Sequence, residues 1–120
     1  WPCRVTSVLA EALAEGPDAV MMLRVQVERM GGAFFPSAGE YTRSWGLTAD
    51  RFARLNAASG RVLGTPLVMH PGPMNRGLEI CDAAADSPRN TALGQVANGV
   101  SVRMAVLHLI LNHDAEGTQP

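Results

Sequence analysis

Lysine is absent from this 120-residue chain: all ten basic residues are arginine, and they balance eleven acidic residues to a formal net charge of −1. The arginines are scattered along the chain and build no basic stripe, which disfavours a nucleic-acid surface. Cysteine is scarce as well. Cys3 and Cys81 stand far apart with no CxxC pattern and no histidine cluster, so neither a disulfide framework nor a zinc site is indicated, and a reducing cytoplasm fits best. The opening "WPCRVTS" has neither the basic start nor the apolar core of a signal peptide. A chain whose first residue is Trp1 is expected to begin inside a longer one. Uninterrupted hydrophobic runs are short too. The longest apolar segment, "VANGVSVRMAVLHLIL", contains Asn98, Ser101, Arg103 and His108, which argues against a membrane span and for a buried helix.

What is present is enough for one core and at most one domain: 47% of residues are hydrophobic and 18% charged. Thr6 can cap a helix over "SVLAEALAE", with Gly16 and Pro17 as its stop. "DAVMML" is a short unbroken apolar run, suited to a strand covered on both faces of a parallel sheet. "RVQVERMGGAFFPS" fits strand end, loop or helix start. Ser37 begins a helix closed by Gly46, and Thr48 caps the next, over "ADRFARLNAA". "PLVMH" is the second strand, and an irregular segment follows it as far as Asn90. From about Thr91 to Asn112 the spacing of Val96, Val100, Met104, Leu107 and Leu111 predicts a final helix, mostly covered by protein.

This alternation specifies an α/β fold: part of an open parallel-sheet, Rossmann-like domain with helices on both faces. Two strands make a poor parallel sheet, so further strands are expected upstream. Residues 113–120 are expected to form a polar tail.

In open α/β sheets ligands bind beyond the carboxyl ends of the strands. The residues in question are Arg24, Gln26, Glu28 and Arg29 after the first strand, and His70-Pro71-Gly72-Pro73 after the second. Arg24 follows five apolar residues, and its planar fork suits a carboxylate; spacing alone favours a structural ion pair with Glu28. Gln26 can orient the arginine or stay an ordinary exposed amide. Pro71 and Pro73 donate no hydrogen bonds, so carbonyls of this segment can be left for a ligand, Gly72 allows close approach, and a cis bond before Pro73 would fix their direction. A rigid turn with nothing bound is the equal alternative. His70 reads as a satisfied strand-end histidine, since no carboxylate, Ser or Cys partner can be named for it. The two aspartates of "CDAAADSPRN" make poor metal ligands and better loop stabilisers. Arg103 should pair with a carboxylate or a carbonyl, and Cys81 should be a buried thiol.

"MMLRVQVERM", "VMHPGPMNRGLEI" and "ADSPRNTALGQVANGVSVRMAVLHLIL", in this order, resemble the C-terminal, aspartate-binding part of the aspartate carbamoyltransferases of pyrimidine biosynthesis. The likeness runs from about Trp1 to Asn112 and includes nothing of the carbamoyl-phosphate domain of such enzymes. It implies that Arg24 holds a carboxylate of L-aspartate with Gln26 beside it. It also implies that main-chain carbonyls of Pro71 and Gly72, with Pro73 after a cis bond, receive the amino group of carbamoyl phosphate. Many members of the family carry Leu in place of Gly72, a change that a main-chain contact survives. The implied reaction carbamoylates aspartate with no metal or organic cofactor, in a cytoplasmic homotrimer that can associate with other pyrimidine-pathway or regulatory subunits. The family's Ser-Thr-Arg-Thr phosphate loop, its carbonyl-polarising histidine and the lysine lent by a neighbouring subunit are absent, so these residues alone should not turn over substrate. No residue of this chain is assigned a catalytic role. An ornithine-type carbamoyltransferase is the nearest rival, disfavoured by Pro71 where that type carries cysteine, and a non-catalytic assembly domain is the other.

Overall fold

The computed structural model of the chain describes residues 2–26, 37–58 and 64–112. Their elements run α1 (Leu9–Ala14), β1 (Ala19–Met21), α2 (Ala38–Trp45), α3 (Ala49–Ala57), β2 (Leu67–Met69), α4 (Asp82–Ala85) and α5 (Ala92–Asn112). The two apolar runs pair as parallel strands in the register Ala19↔Leu67, Val20↔Val68 and Met21↔Met69. Flanked by helices, they form an open parallel sheet, as the alternation of elements predicts. Glu28, Arg29 and residues 113–120 lie outside the described residues, and with them the proposed Arg24–Glu28 pair and the polar tail.

Caps set the middle helices. Ser37 accepts a hydrogen bond from the Glu40 amide at the start of α2, and Thr48 accepts one from the Arg51 amide at the start of α3. Gly46 closes α2 because nothing larger fits: a Cβ there would stand 2.6 Å from the Leu78 carbonyl oxygen. Arg51 then satisfies the end of α2, its guanidinium donating to the carbonyls of Arg43 and Gly46 at 2.7 Å each. The core gathers Leu47, Leu55, Val68, Ile80 and Ala84 with Leu13 and Met22 around them. Each fully buried Leu or Ile contributes on the order of 1.5–3 kcal/mol by leaving water.

Several expectations are corrected. Thr6 does not cap α1; its hydroxyl accepts from the Val8 amide two residues on, and the helix starts at Leu9 with Val8 in the capping position. β1 is not buried on both faces among the described residues, for Ala19 and Met21 are exposed, Met21 to 51%, and Val20 is half-buried. The irregular stretch before Asn90 contains a single helical turn, α4, whose N-cap Cys81 is half-buried against the core rather than fully enclosed.

The largest departure is α5. It spans the predicted residues, but of its 21 residues only Ala92 is buried. Its first turn is anchored to β2, where the Thr91 amide donates to the Val68 carbonyl, and its later turns project beyond the small core. Helical spacing identifies a helix, whereas coverage depends on how much protein surrounds it. By length and composition α5 could cross a membrane. Arg103 is exposed beside Gly99, and no carboxylate or carbonyl among the described residues accepts from it.

Candidate functional site

The carboxyl edge of the sheet brings the two candidate segments together. Because β1 and β2 are parallel and Met21 aligns with Met69, the segments that follow both strands leave from the same rim. The pairing continues one step, the Met22 amide donating to the Met69 carbonyl at 3.0 Å. Further out, Asn75 Nδ2 donates to the Val25 carbonyl at 2.8 Å, fastening the end of the proline segment to the residue after Arg24. Arg24 is half-buried and Gln26 exposed on the first segment; Pro71 and Pro73 are exposed and Gly72 is half-buried on the second.

The Gly72–Pro73 peptide is cis, as expected from the Pro-Gly-Pro pattern, and Gly72 has φ +64°. An added Cβ would meet only Val96 Cγ2, at 3.9 Å, so glycine suits this position for its left-handed backbone rather than for lack of space. Neither the Pro71 nor the Gly72 carbonyl accepts a hydrogen bond from the described residues. Both carbonyls are thus left open to a donor such as an amide or amino group. Beside them a cleft of about 520 Å³ is lined by Gly72, Pro73, Met74, Asn90 and Leu93 among others.

Beneath this loop lies a group that residue spacing did not reveal. His70 and Glu79 are both fully buried, with His70 Nε2 3.2 Å from Glu79 Oε1. His70 Nδ1 accepts from the Gly72 amide at 2.8 Å, so Nε2 is the nitrogen whose proton points at Glu79. The Asn75 amide donates to the same Oε1. The His70 amide in turn donates to Gln95 Oε1 at 3.0 Å, tying the start of the loop to the first turn of α5. His70 is thus the satisfied strand-end histidine that the sequence suggests, with both ring nitrogens engaged, but it does have a carboxylate partner: Glu79 is nine residues away in sequence, and the turn at residues 75–80 brings it back. A carboxylate placed between Leu78 and Ile80 was the signal available. Tyr41 stands near this carboxylate; burial pushes its phenol above the usual range, and the Glu79 charge adds to that.

Asp82 and Asp86 take the loop-stabilising role expected of them. Arg76 reaches both, taking Asp86 with two nitrogens and Asp82 at 3.1 Å. The hydrogen bond from Arg76 holds the Asp86 carboxyl below the usual aspartate range. Among the described residues no group of three or more His, Cys, Asp or Glu could hold a metal ion.

Residues 5–110 match the family model described as aspartate/ornithine carbamoyltransferase, Asp/Orn binding domain. The chain is 80% identical over 116 residues to the aspartate carbamoyltransferase catalytic subunit of Micrococcus luteus, covering 97% of this chain and 36% of that protein. It is 60% identical over 116 residues to the corresponding subunit of Leifsonia xyli, covering 97% and 35%. Among solved structures it resembles aspartate transcarbamoylase from Trypanosoma cruzi in complex with phosphate, with a TM-score of 0.55 and 26% identity over 85% of this chain and 31% of that one. The chain therefore spans about a third of the length of the curated relatives it matches.

Proposed function

The chain belongs to the aspartate/ornithine carbamoyltransferase family, and from that premise we propose that it is the aspartate-binding portion of an aspartate carbamoyltransferase. In the complete polypeptide the amino nitrogen of L-aspartate attacks the carbonyl carbon of carbamoyl phosphate. A C–N bond forms, the C–O bond to phosphate breaks, and N-carbamoyl-L-aspartate, phosphate and a proton result. The observation that carries this reading is the shared rim, where Arg24 and the open carbonyls of Pro71 and Gly72 leave the same end of two paired strands.

Arg24 supplies a fork for a carboxylate of aspartate, with Gln26 as its neighbour. The Pro71 and Gly72 carbonyls accept from the amino group of carbamoyl phosphate and so orient its carbonyl carbon, while Pro73 fixes the course of the segment. These residues bind and align; rate enhancement from alignment is their contribution, and charge stabilisation at the reacting centre falls to groups outside this chain. The chain by itself should not turn over substrate. Aspartate is favoured over ornithine because an arginine at this rim complements a second carboxylate and would repel a second amine.

The exposed face of α5 fits the same reading. The family match runs through residue 110, which supports reading this helix as part of the domain, covered by further protein rather than by lipid. Assembly as a cytoplasmic homotrimer, alone or with other pyrimidine-pathway or regulatory subunits, completes the proposal, with no metal or organic cofactor.

The deciding experiment expresses the complete polypeptide and supplies carbamoyl phosphate with either aspartate or ornithine. Formation of carbamoyl aspartate and no citrulline is expected. Citrulline formation would transfer the chain to the ornithine type, and no product from either amine would mark a non-catalytic domain.

A further inference from the structure

We propose that Glu79 is a positioning residue: acting through His70 and the Asn75 amide, it holds the Pro71 and Gly72 carbonyls in the direction that receives carbamoyl phosphate. The proposal rests on the assignment of those carbonyls given above. A single oxygen, Glu79 Oε1, faces Nε2 of the histidine that opens the loop and the backbone amide that closes it. The histidine passes the constraint inward, since its other ring nitrogen accepts from the Gly72 amide. Pro71 and Pro73 have no amide hydrogen, so the segment has few other ways to be fixed.

Glu79 is itself held from behind. Leu47, fully buried, donates its amide to the Glu79 carbonyl at 2.9 Å and accepts from the Cys81 amide at 3.0 Å, which pins the backbone on either side of Ile80. The rigid core is thereby connected to the loop through a carboxyl group. Its second oxygen, Oε2, is buried with no hydrogen-bond partner among the described residues. An apolar residue would fill such a space without that desolvation penalty, so stability alone does not account for a carboxyl group here.

The test measures carbamoyl phosphate binding by calorimetry, aspartate KM at saturating carbamoyl phosphate, and amide hydrogen exchange over residues 70–77, all in the complete polypeptide. Glu79→Gln keeps an oxygen acceptor and the volume, and should bind carbamoyl phosphate within about threefold of the unaltered protein, whereas Glu79→Ala should bind at least about tenfold more weakly. Faster exchange of the loop amides and a nearly unchanged aspartate KM should accompany that loss. If Glu79→Ala does not fold, Glu79→Asp, whose carboxyl is withdrawn by one methylene, takes its place with the same expectation. A folded Glu79→Ala or Glu79→Asp protein that binds carbamoyl phosphate normally would overturn the positioning role and leave the proposed function intact. Equal damage from Glu79→Gln would also overturn it, because the clamp requires only an acceptor. An unaltered protein that fails to bind carbamoyl phosphate would overturn both.

Discussion

Replacing Asn75 by alanine cuts the hydrogen bond that links the proline segment to the Arg24 segment, and the structure sets the size of the effect. The bond runs from a neutral amide to the Val25 carbonyl at 2.8 Å, and Val25 is only 8% exposed. A bond of this kind contributes about 0.5–1.5 kcal/mol, which predicts a two- to tenfold rise in aspartate KM if the link serves to place Arg24. Removing the guanidinium itself forfeits charge-assisted bonds of about 1.5–3 kcal/mol each, so Arg24→Ala should raise aspartate KM on the order of a hundredfold. The two losses should not add. Once Arg24 is gone there is nothing left to place, and Asn75→Ala should change KM by less than about twofold in the Arg24→Ala background. Steady-state kinetics of the four proteins of this cycle, with aspartate varied at saturating carbamoyl phosphate, read the coupling directly. Additive effects would show that Asn75 acts on something other than Arg24, and the account of the rim would fail.

Arg24→Lys should recover little of the Arg24→Ala loss while leaving carbamoyl phosphate affinity unchanged, because an ammonium cannot present two parallel donors; binding assays with each substrate check this. Thr48→Ala removes the side-chain cap of α3 and should destabilise by about 1 kcal/mol, seen in chemical denaturation of the complete polypeptide. Leu55→Ala empties a site with no exposure and should cost about 2–5 kcal/mol in the same assay. Arg76→Ala should lower the melting temperature at neutral pH. The Asp86 carboxyl is held below its ordinary range when folded, so the stabilisation is present above that range and is lost as the pH falls through the depressed value. The two melting curves should therefore converge in acid, and a gap that persists there would refute the pairing.

Much of the architecture was legible because its signals are local. Ser37, Gly46 and Thr48 each act within three or four residues, and their caps fall where the sequence puts them. The apolar runs became paired strands for the same reason. Thr6 misled because a threonine can turn the chain just before a helix as readily as cap it. α4 was missed because a four-residue turn has no periodicity to detect. The exposure of α5 and the partnership of His70 with Glu79 are tertiary facts. The first depends on how much surrounding protein is present, and the second on a turn that folds a carboxylate back beneath its own loop.

The two long sides of the sheet differ in what they leave open. On the flank of β2 away from β1, the Val68 amide donates to the Arg89 carbonyl and the Val68 carbonyl accepts from Thr91, so the backbone entering α5 seals that border. No strand among the described residues lies along the far side of β1. Among the described residues the open border of the sheet is therefore the one alongside Ala19–Met21, and a further strand would join there. A backbone edge of that kind, if left uncovered, is a template for edge-to-edge association with a second copy.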